Sequence, residues 1–167
     1  MLGLANTLWR DDLNIEEGPY KVLILRDKLI DPARNNRAVK LKLYYPADNN
    51  LTNLPVIFWS HGLGGGVDGA SFLSRYLASQ GFIIIHMQHA GTDTSLWEGK
   101  DGHPWDIIRD THITRDVTIN RYKDVPFVLD QLPEWIASKD VIKNKADIKN
   151  LGMSGHSFGA LTTQVMA

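Results

Sequence analysis

The chain has 167 residues, of which 43% are hydrophobic and 22% charged, values that are ordinary for a globular protein. The formal net charge is -1, with 18 basic and 19 acidic side chains and no basic run, so the sequence does not indicate binding to nucleic acid or to an anionic membrane. It contains no cysteine, which excludes disulfides, thiolate metal sites and a cysteine nucleophile.

The start of the chain carries no recognisable targeting signal. Residues 1–17 lack a basic region followed by a long apolar stretch, so we expect no secretory signal and favour a cytoplasmic protein. The longest apolar runs, such as residues 82–85, are far too short to span a membrane. We interpret residues 1–17 as an N-terminal segment and residues 18–167 as part of one domain.

Two strands are predicted first, at "YKVLILRD" (20–27) and "RAVKLKLYYP" (37–46). The second alternates cleanly, with apolar side chains on one face and Lys40 and Lys42 on the other. One apolar and one solvated face are typical of antiparallel strands, so we expect both at the edge of a sheet.

A strand, a helix and a second strand are predicted next. "LPVIFWS" (54–60) and "FIIIHMQ" (82–88) are almost continuously apolar, which is typical of strands buried on both faces. Between them, Asp68 can cap a helix that ends near Gly81 and whose apolar residues recur at helical spacing, namely Phe72, Leu73, Tyr76 and Leu77. This order predicts a parallel strand pair with a right-handed crossover.

The second half of the chain predicts a long loop (89–106), a helix and a short strand, "IKNLGMSG". In the helix we expect a shared apolar face, with Pro126 confined to the first turn. The members of that face are Val125, Val128, Leu129 and Leu132. Four acidic residues lie among basic ones and predict a solvated helical face: Asp110, Asp116, Asp124 and Asp130. The predicted fold class is therefore a single α/β layer structure.

A serine motif follows the last predicted strand. Residues 155–159 read "GHSFG", the G-x-S-x-G pattern of a serine held on a sharp turn between a strand and a helix. The flanking glycines avoid clashes, the hydroxyl stands exposed at the positive end of the helix, and the following N–H points at a developing oxyanion. The bare pattern also occurs by chance, and its position after a strand favours the nucleophile interpretation.

A glycine-rich motif, "SHGLGGG" (60–66), follows the first buried strand, where an acyl-transfer enzyme needs a second oxyanion donor. The Leu63 N–H fits that role. Residues 64–69 also satisfy G-x-G-x-x-G, the dinucleotide-binding pattern, which requires an acidic residue at the end of the next strand. The next strand ends "HMQHA", and the first acid is Asp93 in the loop. A dinucleotide-binding module and a plain glycine loop remain as alternatives.

The two motifs in this order resemble the α/β-hydrolase superfamily, and within it the platelet-activating-factor acetylhydrolase and predicted dienelactone hydrolase group. The resemblance runs from about residue 18 to the last residue. The segments that carry it are "YYPAD" (44–48), "PVIFWSHGLGG" (55–65), "LASQGFIIIHMQHAGTDTS" (77–95), "DVPFVLDQL" (124–132) and "GHSFGA" (155–160).

This resemblance implies a serine esterase that hydrolyses a small-molecule ester through an acyl-serine intermediate, with no cofactor and no metal. It implies Ser157 as the nucleophile and the N–H groups of Leu63 and Phe158 as the oxyanion donors. Five further residues are implied in support of these, namely His61, Gly62, Gly155, His156 and Gly159.

The chain departs from the family pattern after the serine. In this fold the triad acid and histidine follow the nucleophile, but none of the ten residues after Ser157 is acidic or a histidine. We therefore expect the N-terminal portion of a hydrolase, with base and acid outside this chain. The alternatives are an inactive fragment and one half of a split hydrolase, in which a second chain or a C-terminal half would complete the sheet.

The remaining histidines are weaker candidates for the base. We expect His86 to be a core residue, His89 to line or support the site, and the residues His103 and His112 to be solvated. Asp93 is interpreted as an Asx-type turn residue. Trp97 and Trp105 are either walls of an acyl pocket or plain packing.

Overall fold

A computed structural model describes residues 18–166, so the predicted segment 1–17 lies outside the described residues. Five strands are present: β1 (Val22–Asp31), β2 (Arg37–Pro46), β3 (Leu54–Ser60), β4 (Ile83–Gln88) and β5 (Ala146–Gly155). The α-helices are α1 (Ser71–Ser79), α2 (Pro104–Asp110), α3 (Arg115–Ala137) and α4 (Phe158–Met166), with short 3₁₀ turns at Pro32–Arg34 and Thr94–Leu96. Within this part of the chain, no helix is both long enough and apolar enough to cross a membrane.

The strands form one mixed sheet in the order β1-β2-β4-β3-β5. β1 pairs antiparallel with β2, and β2 pairs antiparallel with β4. β3 lies parallel to β4, as their buried apolar runs predicted, and it also lies parallel to β5. The carboxyl ends of β3, β4 and β5 therefore lie at the same edge of the sheet, where the loops after them meet.

The helices cover both faces of this sheet. On one face, alternate residues of β2, β3 and β4 pack against α3 and form the main core. On the other face, Ala78 of α1 packs against Tyr44 and Ile84. The α/β class predicted from the sequence is thus confirmed, with helices on either side of a sheet whose three central strands are the most buried.

The prediction that β2 is an edge strand is wrong, and the prediction of a solvated face holds at Lys40, which is exposed, but not at Lys42. β2 lies between β1 and β4, and only β1 is at that edge. Lys42, on its predicted solvated face, is 5% exposed and its amino group lies 2.6 Å from the Asp68 carboxylate. The alternation gave the correct period, but α1 covers the face that carries the lysine.

Two local helix predictions are also corrected. Asp68 does not cap α1, because its carboxylate binds Arg26 and Lys42 instead. The buried residues of α1 are Ser74, Ala78 and Ser79, and Leu77 of the predicted face is partly buried, while Phe72 is 70% exposed. The predicted face is displaced in part, because small residues allow α1 to approach the sheet closely.

The helix α3 begins much earlier than its proline suggested. It starts at Arg115, with the Thr114 hydroxyl accepting the Val117 N–H at 3.3 Å, so Pro126 lies in the helix interior. Pro133 lies two helical turns further along the same helix, and both prolines are exposed. The expectation of a first-turn proline is therefore wrong, because both rings face solvent, away from the packed side of α3.

Candidate active site

Ser157 lies in the turn between β5 and α4, the place predicted for it. Its φ of 53° is in the left-handed region, which costs energy for a non-glycine residue, and its side chain is exposed. Phe158 begins α4 directly after it, so the hydroxyl stands beside the positive end of a helix. The backbone of this turn is strained in the way that a nucleophile on a strand-to-helix turn requires.

The two glycines of the motif are required by packing. A Cβ on Gly155 would lie 2.5 Å from the carbonyl of Gly159, and a Cβ on Gly159 would lie 1.9 Å from the Ser60 carbonyl oxygen. Any side chain at either position would therefore collide with backbone. Because the glycines allow β5, α4 and the end of β3 to approach this closely, they fix the turn that presents Ser157.

The loop after β3 reaches the serine turn. A Cβ built on Gly62 would lie 3.4 Å from the Ser157 Cβ and 3.1 Å from His156 Nδ1, so the two segments are in contact. Within residues 18–166, neither the Leu63 N–H nor the Phe158 N–H donates to a protein acceptor. Two unused N–H donors thus flank the serine, the arrangement that oxyanion stabilisation requires.

The glycine loop uses several of its own N–H groups internally. Gly64, with a φ of 72°, donates to the Thr92 carbonyl at 2.8 Å, and Gly65 donates to the Gly62 carbonyl at 3.0 Å. Gly69 donates to the Gly66 carbonyl at 3.2 Å. A phosphate cradle presents such N–H groups to its ligand, so this loop is poorly suited to the dinucleotide alternative.

A cavity of about 510 Å³ opens beside Ser157. Trp97 and Trp105 both line it, as the sequence allowed, and the Trp97 indole N–H donates to the Gly64 carbonyl at 2.7 Å. Apart from the serine turn and glycines, its lining is apolar and includes Trp59, Leu63, Trp97, Pro104, Trp105 and Ile108. No Asp, Glu, Lys or Arg lines it among the described residues.

The described residues hold no histidine hydrogen-bonded to Ser157. His61 donates from Nδ1 to the Gly62 carbonyl at 2.7 Å, and its Nε2 accepts the His89 N–H at 3.0 Å. Burial lowers the pKa of His61 to about 3, so this ring is neutral with both nitrogens occupied.

The remaining histidines lie as the sequence predicted. His86 is buried, with Nε2 2.6 Å from the Ser74 hydroxyl, and burial lowers its pKa to about 4. His103 and His112 are exposed. Asp93 differs from the expected Asx-type turn, because its buried carboxylate accepts hydrogen bonds from the side chains of Gln88 and Ser95.

Apart from Ser157, a serine, a histidine and an aspartate are linked by hydrogen bonds inside the protein. The Ser60 hydroxyl lies 3.0 Å from His89 Nε2, and His89 Nδ1 lies 3.0 Å from the Asp124 carboxylate. All three residues are fully buried. This chain of hydrogen bonds has the connectivity of a catalytic triad, but no substrate can reach it, so it acts as a support beneath the loops.

Asp124 is the anionic centre of this support, and its predicted place on a solvated face is wrong. Its carboxylate accepts hydrogen bonds from Arg34 at 2.8 Å and from two nitrogens of Arg37, also at 2.8 Å. Burial alone would raise the pKa of Asp124, but the hydrogen bonds from Arg37 and His89 outweigh it and lower the pKa. Asp124 is therefore ionised and paired.

Sequence reasoning also missed Arg121, which is fully buried. Its guanidinium binds side chains or backbone of three separate segments, and burial lowers its pKa to about 10, which leaves it charged at neutral pH. The helical spacing of the sequence did indicate that Arg121 is buried. Arg121 precedes Val125 by four residues and Val128 by seven, so it shares their buried face.

Comparisons with known proteins give a fold and no family. No protein-family model matches the chain, and no curated protein matches it. Among solved structures, the chain is similar to a ferulic acid esterase from Streptomyces cinnamoneus, with a TM-score of 0.64 and 18% sequence identity. The match covers 91% of this chain and 57% of that chain, so the chain spans little more than half of that esterase. At this identity the likeness shows a shared α/β fold alone.

Proposed function

We propose that this chain carries the nucleophile and the oxyanion donors of a carboxylic-ester hydrolase of the α/β-hydrolase type. The observation that carries the proposal is Ser157, exposed at a φ of 53° between two glycines that admit no side chain. Structures retain such strain where function needs it, and here it presents a hydroxyl beside two free N–H groups.

In the proposed reaction, Ser157 Oγ attacks the ester carbonyl carbon and gives its proton to a general base. The N–H groups of Leu63 and Phe158 donate to the oxygen that becomes negative. Collapse of the tetrahedral intermediate releases the alcohol with a proton from the same base, and water then hydrolyses the acyl-serine ester. These residues need no metal or cofactor to do this.

The base and its acid are assigned to residues outside 18–166, in the same polypeptide or in a second chain. His61 and His89 have both ring nitrogens occupied, and within the described residues the Ser157 hydroxyl makes no hydrogen bond to any histidine, including its neighbour His156. β5 supports this assignment, because within the described sheet it pairs only with β3 and leaves its other edge open. Leu151 on this strand is 42% exposed.

The cavity favours a neutral, apolar ester. Its tryptophan and aliphatic walls suit an acyl or alcohol group of small to medium size, since about 510 Å³ would hold a small organic molecule. No lining Lys or Arg is available among the described residues to bind a substrate carboxylate. The resemblance to the acetylhydrolase and dienelactone hydrolase group agrees with an ester substrate, as does the likeness to a ferulic acid esterase.

The test is covalent labelling of the full-length gene product with a fluorophosphonate, followed by intact mass measurement and peptide mapping. We expect one adduct on Ser157, absent from Ser157→Ala and retained in Ser138→Ala, an exposed serine at the end of α3. An adduct that persists in Ser157→Ala would overturn the assignment. If the folded full-length protein gives no adduct, the serine is placed but not activated, which is the result expected of an inactive protein.

A further inference from the structure

We propose that Arg121 is a positioning residue that holds the two oxyanion donors in one fixed arrangement. This inference rests on the proposed function. Arg121 lies on α3, outside both motifs, and does not line the cavity beside Ser157. It acts on the site only through the segments that it joins.

The guanidinium joins α4, the loop after β4 and the end of β3. Nε donates to the Thr162 hydroxyl at 2.7 Å, and Nη1 donates to the Thr92 hydroxyl at 2.7 Å. Nη2 donates to the Ser60 hydroxyl at 2.8 Å and also to the His61 carbonyl. Every nitrogen of one side chain is therefore used to connect parts of the chain that are far apart in sequence.

Each proposed oxyanion donor lies close to one of these contacts. The Leu63 N–H is two residues after the His61 carbonyl that Arg121 holds. On the other side, the Thr162 hydroxyl also donates to the Phe158 carbonyl at 2.8 Å, and the guanidinium lies 4.5 Å from the centre of the Phe158 ring. One rigid, planar group thus determines how far the two donor segments stand from each other.

The buried support fixes Arg121 in turn. His89 Nδ1 faces a carboxylate and therefore carries the proton that it donates to Asp124. His89 Nε2 must then accept from the Ser60 hydroxyl, which leaves the Ser60 lone pairs for Arg121. Asp124, one helical turn after Arg121, supplies the compensating negative charge. The triad-like connectivity therefore orients donors and acceptors and moves no proton during the reaction.

A purely structural role would predict loss of stability alone. A positioning role predicts that kcat falls while KM changes little, because misplaced donors weaken interactions made in the transition state. A displacement of about 1 Å at a reacting centre can cost about 100-fold in rate. Lysine keeps the charge but offers one point of attachment, so it cannot reproduce contacts to three segments.

The experiment uses the full-length gene product and p-nitrophenyl butyrate. We expect Arg121→Met and Arg121→Lys to lower kcat by about 100-fold and 10-fold, with KM within about threefold of wild type. Arg115→Met, an exposed arginine of the same helix, is the matched control and keeps full kcat. If Arg121→Met does not fold, Thr162→Val removes one anchor and lowers kcat by about tenfold. Folded variants with wild-type kcat, or with KM raised and kcat unchanged, would overturn the proposal.

Hydrogen exchange measured by mass spectrometry separates this proposal from the proposed function. In folded Arg121→Met or Thr162→Val, we expect faster exchange in peptides spanning 60–66 and 155–166, and unchanged exchange in β1 and β2. Unchanged exchange in both site peptides would overturn the positioning role even in a protein without esterase activity. Absence of activity and of a fluorophosphonate adduct in wild type would instead overturn the proposed function.

Discussion

Substituting Gly159 by alanine tests whether the close approach of α4 to β3 is as tight as the structure has it. The added Cβ would lie 1.9 Å from the Ser60 carbonyl oxygen, whereas such contacts are essentially never below 3.0 Å. The helix would have to retreat by roughly 1 Å, a displacement of backbone that we expect to cost about 3 kcal/mol, at the upper end of overpacking effects. Alanine returns up to ~1 kcal/mol through its higher helix propensity, which leaves a net loss of about 2 kcal/mol.

Urea unfolding followed by far-UV circular dichroism measures this loss. With a typical m-value of about 2 kcal/mol per molar urea, the midpoint of Gly159→Ala should fall by about 1 M. Gly152→Ala is the matched control, since its Cβ would meet only the Ile57 side chain at an ordinary 3.8 Å. A Gly159→Ala protein as stable as Gly152→Ala would refute the argument from close packing.

Three further predictions concern the buried charges, the glycine loop and pH. Asp124→Asn should lower the free energy of unfolding by about 3 kcal/mol, because it leaves Arg34 and Arg37 without their buried carboxylate. In the same urea assay, Asp130→Asn, at an exposed position, should change the free energy of unfolding by less than about 0.5 kcal/mol. Gly64→Ala should reduce the rate of fluorophosphonate labelling at least tenfold more than Gly99→Ala. Both glycines have a positive φ, but only a Cβ on Gly64 would collide with α2, at 2.3 Å from Ile108 Cδ1. Equal labelling rates in the two variants would contradict this prediction. The pKa of His86 is about 4 in the folded protein, below the 6.5 of the unfolded chain, so its contribution to the free energy of unfolding is fully present above pH 6.5. Toward pH 4 the free energy of unfolding should fall by up to about 1.4 kcal/mol per pH unit for each such histidine. A flat profile between pH 6.5 and 4.5 would contradict neutral buried rings.

The elements that the sequence predicted well are those with a strong local signal. β2 and β3 have the predicted bounds, because an alternating run and a continuous apolar run each allow one strand period. The turn at Ser157 was predicted in its correct place, since two glycines at fixed offsets leave few conformations for the residue between them. These features depend on near neighbours along the chain.

The features that the sequence did not reveal depend on distant partners. Asp124 looked like one of several exposed acids, and its burial depends on arginines almost ninety residues earlier in the chain. The capping role given to Asp68 failed for the same reason, because lysine and arginine on the first two strands compete for its carboxylate. Charge spacing along a helix cannot tell a solvated carboxylate from one that a remote strand neutralises.

The two interior prolines remove hydrogen bonds from one side of α3. Each lacks an N–H, so the carbonyls of Tyr122 and Leu129, four residues earlier, lose their helical donors and turn to water. Pro126 and Pro133 are seven residues apart and exposed, so both losses fall on the outer side of the helix. A helix that lengthens along its outer side curves inward, so we expect the 23 residues of α3 to bend toward the sheet. One continuous helix thus anchors the buried guanidinium near its start and packs Trp135 against the core near its end.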